Sequence, residues 1–138
     1  MKVQVIRSNR KTIGLEVRAD ESVILRAPAV DDISDVEWKS ILGEFTERVN
    51  HFCKVMDVTV GRITIRNQKT RWGSCSSKGN VNFNYQLYYM PRELMDYVII
   101  HELSHRRHMN HSAEFWQEVE KYCKTYRECR KKLRDYEI

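Results

Sequence analysis

Long apolar runs are missing from this sequence of 138 residues. No run approaches the roughly 20 apolar residues that a membrane-spanning helix requires. The opening MKVQVIRSNRK alternates apolar and polar residues and lacks the apolar stretch of a signal peptide. Repeats and low-complexity segments are missing too. We therefore expect a single domain over residues 1–138, located in the cytoplasm and not bound to a membrane.

Paired cysteines and a phosphate-binding loop are also missing. Cysteine occurs at four separated positions without a C-x-x-C pair: Cys53, Cys75, Cys123 and Cys129. This spacing disfavours a redox motif or an all-cysteine metal site and, in a reducing compartment, predicts free thiols. No glycine-rich loop supports phosphate binding. The net charge of +5 permits weak attraction to nucleic acids or acidic surfaces without requiring it.

The N-terminal segment shows the alternation of β-strands. Apolar and polar residues alternate over 2–7 and 12–18, which predicts a β-hairpin with its turn at Ser8 and Asn9. A third strand is predicted over 22–27.

The next segment changes from helical to strand periodicity. Apolar residues at steps of three and four predict a helix over 33–56. A strand follows over 58–66, where the apolar parity switches at Gly61 and suggests a bulge. After a turn-rich stretch, a short strand is predicted over 80–84.

The C-terminal part is predicted to be helical. Pro91 suits the first position of a helix over 92–109, and Asn110 can adopt the left-handed conformation that ends it. Ser112 can cap a further helix. The tail 121–134 holds seven Lys or Arg residues, which is more typical of a solvated helix face than of a nucleic-acid surface. These elements predict an α+β fold in which a small, N-terminal, antiparallel-rich sheet packs on the 92–109 helix.

Four of the five histidines fall within HELSHRRHMNH, residues 101–111. On a helix, His101 and His105 differ by about 40° around the axis and about 6 Å along it, so both imidazoles can reach one metal ion. The stretch 97–103 is apolar on nearly every side, which predicts burial. Burying two histidines and Glu102 without partners is costly, and a metal would offset that cost. In H-E-x-x-H sites the glutamate takes the proton of the attacking water.

The third ligand can be chosen by distance. His108 lies about 10.5 Å beyond His101 along a continuing helix, whereas an imidazole with its zinc bond reaches only roughly 6 Å from Cα. His111 follows the predicted stop at Asn110 and can approach from another direction. We therefore predict one Zn²⁺ bound by His101, His105 and His111. His108 is then a rim residue, a substrate contact or a solvated side chain.

Two stretches closely resemble the YgjP-like metallopeptidase family: RWGSCSSKGNVNFN at 71–84 and DYVIIHELSHRRHMNHSAEFW at 96–116. The segment 9–28 fits the opening strands of that family. The family belongs with the zincins and is similar in its motif to the SprT and Wss-type proteases. The resemblance implies a zincin-like fold, a catalytic zinc ion, and peptide or protein substrates. It assigns the same site residues, with a glutamate as the catalytic group: His101, Glu102, His105 and His111.

The resemblance also implies an edge strand that lines the substrate cleft, for which residues 80–84 are our candidate. A peptide could add to this edge as a further strand. Three residues are candidate substrate contacts: Asn84, His108 and Arg71. The group that stabilises the oxyanion is left open among three residues: His108, Arg106 and Asn84. The segment 71–74 is, however, more typical of a tight turn with Trp72 packed in the core.

Two other functions stay open at this point. A metal-dependent nucleoside triphosphate hydrolase would use a basic rim made of five residues: Arg62, Arg66, Arg71, Arg106 and Arg107. A non-catalytic zinc module associated with nucleic acid would need a closed site with a fourth protein ligand. The oligomeric state cannot be predicted from the sequence.

Overall fold

The computed structural model describes four parts of the chain: residues 2–6, 15–17, 23–25 and 27–136. In these residues the α-helices are α1 (Asp35–Met56), α2 (Arg92–Ser104), α3 (Ala113–Tyr122) and α4 (Tyr126–Leu133). The strands are β1 (Lys2–Ile6), β2 (Leu15–Val17), β3 (Val23–Leu25), β4 (Arg62–Arg66), β5 (Gly73–Cys75) and β6 (Val81–Asn84). Two short 3-10 helices cover Val30–Asp32 and Tyr85–Tyr89. The predicted α+β class is confirmed. No helix in the described ranges has the length and hydropathy of a membrane span.

Four of the described strands form one mixed sheet in the order β1-β4-β6-β5. β1 and β6 each lie parallel to β4, and β5 is antiparallel to β6. The predicted hairpin between 2–7 and 12–18 is therefore wrong, because β1 pairs with β4, and β2 pairs with β3 in a separate two-stranded sheet. Alternation identifies which residues share a face of a strand, but not which strand lies beside it. The predicted turn at Ser8 and Asn9 lies outside the described residues.

The strand predicted over 80–84 is not an edge. β6 lies between β4 and β5, so β5 is the strand at that end of the sheet. β5 consists of Gly-Ser-Cys and has no apolar alternation, which is why the sequence pattern did not reveal it. The bulge predicted at Gly61 is also wrong, because β4 begins only at Arg62. Gly61 donates a hydrogen bond to the Gly79 carbonyl at 2.8 Å.

Helix α1 confirms the helix predicted over 33–56, and the structure shows that it packs across the sheet. Ser34 caps it by accepting a hydrogen bond from the Glu37 amide. Its buried residues recur every three or four positions: Trp38, Ile41, Phe45, Val49, Phe52 and Met56. Phe45 stacks on Phe83 of β6, with 5.7 Å between ring centroids. Helix α1 therefore covers the sheet with one continuous apolar stripe.

Helix α2 is the central helix of the described domain. It is buried on nearly every side, as predicted, between β5 and the C-terminal helices. A bidentate ion pair joins Arg48 of α1 to Asp96 of α2, with N···O distances of 3.0 and 2.9 Å. This packing positions the histidine-rich segment at the C-terminal end of α2.

Candidate metal centre

Helix α2 ends at Ser104, five residues before the predicted end. The amides of His105, Arg106 and Arg107 bond to carbonyls three residues back, which tightens the chain into turns. Arg106 and Arg107 then extend away from the helix and donate to backbone carbonyls of the 56–59 segment at 2.8–3.0 Å. These long-range hydrogen bonds stabilise the turn that follows the helix. The sequence alone could not show them.

The early turn brings three imidazoles together: His101, His105 and His111 (the histidine cluster). One ring nitrogen from each lies within 4.8 Å of the others. The Nε2 atoms of His101 and His111 are 3.3 Å apart. Zinc–nitrogen bonds of 2.0–2.1 Å at a tetrahedral angle place ligand nitrogens about 3.3 Å apart. The spacing of this pair therefore fits a zinc ion without rearrangement.

The second nitrogens of two rings have partners that orient them. His105 Nδ1 lies 3.0 Å from the carbonyl oxygen of His108, and His101 Nδ1 lies 3.2 Å from the Tyr97 hydroxyl. With the proton on Nδ1, each ring donates to its partner and leaves Nε2 free for a metal. Such partners hold metal-binding histidines in the correct tautomer and orientation.

The environment of His101 and His105 favours the neutral form of both rings. Burial, together with the repulsion that charged His105 and His111 would exert, lowers the pKa of His101 to about 3. Burial also lowers the pKa of His105 below its usual value. Metal binding requires neutral imidazole. The two buried rings therefore need not release protons at neutral pH before they bind a metal.

Glu102 lies beside the histidine cluster and is 6% exposed. Burial raises the pKa of Glu102 to about 8, while the positive charge of Arg71 acts in the opposite direction. A divalent cation held by the three imidazoles would favour the ionised carboxylate and return the pKa toward its ordinary range. The donor set and the buried carboxylate both fit a metal at this point.

Gly73 allows β5 to approach α2 closely beside Glu102. A Cβ atom at this position would lie 3.0 Å from the Asn82 carbonyl oxygen, 3.1 Å from Glu102 Cγ and 3.1 Å from a Val98 methyl carbon. These contacts are tighter than ordinary van der Waals distances. The glycine therefore sets the distance between the edge strand and Glu102.

The sequence predicts peptide cleavage at this site. We expect Gly73→Ala to lower the rate of that predicted reaction by about 10- to 100-fold, because even a shift of about 1 Å at a catalytic group is costly. Gly43→Ala is the matched control, since a Cβ atom there meets nothing within 4 Å. In the interior of α1 this control should stabilise the protein by about 0.5–1 kcal/mol and leave cleavage unchanged. Thermal unfolding and cleavage kinetics measure both effects. Equal rates for the two variants would contradict the role given to Gly73.

Two adjoining cavities open at the histidine cluster. One has a volume of about 410 Å³ and reaches toward α4, and the other has a volume of about 290 Å³ and lies along β5 toward Met109. They share four wall residues: Arg71, Gly73, His101 and Glu102. The cavities are therefore two arms of one cleft, and the three histidines that could hold a metal all line the smaller arm.

Two predicted substrate contacts do not line this cleft. Asn84 is fully buried, and its amide group donates to the carbonyls of Gln68 and Arg71 and accepts from the Gln86 amide. It fixes the loop before β5 and has no polar atom left for substrate. His108 lines neither cavity, and its carbonyl oxygen serves His105. Among these candidates, Arg71 lines both cavities.

Arg106, an oxyanion candidate, lines neither cavity. Its guanidinium group donates to the carbonyls of Thr59 and Ser77 and packs against Gly79. Arg107 similarly donates to backbone carbonyls and pairs with Glu118 at 3.3 Å. The basic rim proposed for nucleotides is therefore not assembled, because these side chains hold the fold together.

Sequence reasoning missed the contribution of α4 to the cleft. Arg130, Leu133 and Arg134 of this segment line the larger cavity with Tyr97 and Tyr136. The spacing of four residues between the two arginines places them on one helix face. The four-residue spacing of these arginines is visible in the basic tail. Nothing in the sequence, however, showed which part of the protein this face of α4 lies against.

Comparison with known proteins agrees with this geometry. The sequence profile of the YgjP-like metallopeptidase domain matches residues 29–136. No curated protein matches the sequence significantly. The zymogen of abylysin, a metallopeptidase of Pyrococcus abyssi, is similar with a TM-score of 0.59 and 25% identity over 64% of this chain and 90% of that chain.

Wss1 of Saccharomyces cerevisiae has the same fold, with a TM-score of 0.58 and 14% identity over 95% of this chain and 91% of that chain. A Wss1 mutant gives a TM-score of 0.59 and 12% identity. These similarities confirm the zincin-like fold that the sequence predicted. The profile match covers most of the chain, and the chain therefore belongs to the YgjP-like metallopeptidase family.

Proposed function

We propose that this protein is a zinc-dependent peptidase in which His101, His105 and His111 bind one metal ion and Glu102 is the general base. The observation that carries the proposal is the histidine cluster, with its ring nitrogens within 4.8 Å of one another, beside a buried glutamate in an open cleft. Zinc suits three imidazole ligands. Membership of a metallopeptidase family supports the reaction type.

The chemistry divides between the metal and the protein. Zinc held by His101, His105 and His111 would supply Lewis acidity, which would lower the pKa of water to near 7 and polarise a carbonyl group. Glu102 takes a proton from the attacking water and delivers it to the leaving amine. Tyr97 and the His108 carbonyl hold the imidazoles of His101 and His105 in place. Arg71 lies close enough to favour the ionised form of Glu102.

The substrate is proposed to bind along β5. On its outer side this strand has no neighbouring strand among the described residues, so its backbone groups can pair with an extended peptide. β5 also contributes Gly73, Ser74 and Cys75 to the cleft wall. A peptide in this position would pass directly over Glu102 and the histidine cluster.

Two broader expectations also remain proposals. We propose that the chain forms one domain over residues 1–138. We also propose a cytoplasmic location, which is supported by the four cysteines, all of which are free thiols in the structure.

The alternative functions have less support. The five arginines of the nucleotide hypothesis do not converge, since Arg106 and Arg107 are occupied elsewhere. A closed structural zinc site would need a fourth protein ligand, and the metal-competent group found in the described residues has three members.

The test is mass spectrometry of a mixed pool of peptides and nucleoside triphosphates. The pool is incubated with zinc-loaded protein, with chelator-treated protein, and with chelator-treated protein to which zinc is returned. We expect new peptide termini in the first and third samples only, with intact nucleotides in all three. Hydrolysed nucleotides with intact peptides would instead establish a nucleotide hydrolase.

A further inference from the structure

The 410 Å³ arm of the cleft is strongly basic. Three guanidinium groups line it, from Arg71 before β5 and from Arg130 and Arg134 at the C-terminal end of α4. Among the described residues that line this arm, Glu102 alone carries a carboxylate. The arm therefore has an excess of positive charge directly beside the reacting groups.

These three arginines differ from the arginines that hold the fold together. Arg48, Arg92 and Arg107 form ion pairs with carboxylates of neighbouring helices. Within the described part of the chain, no such ion pair involves Arg71, Arg130 or Arg134. Arg130 packs over the Trp116 ring and Arg71 lies near Glu102, but none of the three forms an ion pair among the described residues, which leaves their guanidinium groups available to an anionic ligand.

The arm is also shaped to hold a side chain. The Arg130 guanidinium lies 4.5 Å from the centroid of the Trp116 ring, which restricts its position. Trp72, Tyr97 and Tyr136 supply aromatic walls. Arginines held beside aromatic walls are typical of sites that recognise carboxylates, because the planar fork can donate two parallel hydrogen bonds.

We propose that this arm receives a carboxylate of the substrate next to the scissile bond, and that Arg71, Arg130 and Arg134 select it. The carboxylate belongs either to an Asp or Glu side chain or to the C-terminus of the peptide. The inference rests on the proposed peptidase function. The preferred substrates would then be acidic peptides, or peptides cleaved close to their C-terminus.

The experiment compares matched peptides with zinc-loaded protein. The best-cleaved peptide of the pool is remade with Glu, Gln or Lys at each position flanking the cleaved bond, and with a free or amidated C-terminus. For wild type we expect kcat/KM to be at least about tenfold higher with Glu than with Gln at one flanking position, or with the free C-terminus than with the amide. The first result assigns the carboxylate to a side chain, and the second assigns it to the terminus.

Two double variants test the residues. R130Q/R134Q should reduce the ratio of kcat/KM values between the carboxylate peptide and its neutral counterpart to near one. R127Q/K131Q removes the same number of charges from α4 at positions outside the arm, and this control should keep the wild-type ratio. R130E/R134E should favour Lys over Glu, a reversal that a purely structural role would not produce. An unchanged preference in R130Q/R134Q, or no charge preference in wild type, would overturn the inference.

Nucleic acid is the competing ligand for such a basic arm. If a single-stranded oligonucleotide inhibits wild type but not R130Q/R134Q, and peptides show no charge preference, the arm recognises phosphate and the inference fails. If no peptide is cleaved at all, the proposed function fails separately. In that case fluorescence anisotropy measures the affinity of zinc-loaded protein for labelled Glu and Gln peptides. Binding of the Glu peptide at least about tenfold tighter than the Gln peptide would support the inference, and equal binding would overturn it.

Discussion

Replacing Glu102 with glutamine is expected to lower the rate of peptide cleavage by about 10²–10⁴-fold while zinc remains bound. Glutamine has nearly the same shape, but it cannot take the proton of the attacking water. It leaves untouched the histidine cluster, whose nitrogens converge without help from the carboxylate. Cleavage kinetics and the zinc content of the purified variant measure the two effects. A variant that cleaves normally, or one that loses its zinc, would contradict the role given to Glu102.

The same variant should also differ from wild type in the pH dependence of its stability. This measurement tests the burial of the Glu102 carboxyl group independently of catalysis. In the metal-free protein, the folded-state pKa of Glu102 is raised to about 8 from an ordinary 4.5. The folded state therefore binds this proton more tightly than the unfolded state, and the resulting stability is lost as the pH rises through the folded pKa. His101 acts in the opposite direction, but only below its ordinary pKa of 6.5.

The window between pH 6.5 and 8 thus lies above the ordinary pKa of His101 and extends up to the folded-state pKa of Glu102. Between these limits the free energy of unfolding of metal-free wild type should fall, and that of Glu102→Gln should fall less. Urea unfolding at the two pH values measures the difference. Parallel changes in both proteins would show that the carboxyl group is not held in its neutral form by burial.

Replacing His111 with alanine is expected to weaken zinc binding by more than about 100-fold, beyond the 10- to 100-fold that is typical when a group behind a ligand is lost. Cleavage should disappear at zinc concentrations that saturate wild type. The ring of His111 is exposed, so its removal should leave the metal-free fold intact. Competition with a chromophoric chelator measures the affinity.

His108→Ala is the control for this experiment. The two histidines are three residues apart in the same segment, but His108 contributes its backbone carbonyl to His105, and alanine retains that group. Zinc affinity and cleavage should therefore stay near wild type. If His108→Ala lost as much affinity as His111→Ala, the choice of the third ligand would be wrong.

Sequence periodicity was sufficient to predict those features that depend only on residues close together in the chain. The stripe of apolar residues predicted α1 nearly to its ends, because one helical face follows from a spacing of 3.6 residues. The same local geometry brought His101 and His105 to one side of α2. The distance argument against His108 assumed a helix through residue 109, whereas α2 ends at Ser104 and His108 presents its backbone carbonyl to His105. Residues 101–111 therefore suggested the candidate site before any fold was known.

The sequence by itself determined most of the helices and strands, the histidine spacing and the family resemblance. The tertiary structure decided that β1 pairs with β4, that β5 rather than the 80–84 strand is the edge, and that α2 ends at Ser104. It also placed Arg130 and Arg134 at the cleft and buried Asn84. These features depend on contacts between residues far apart in the chain, and local periodicity carries no information about which distant partner a residue meets.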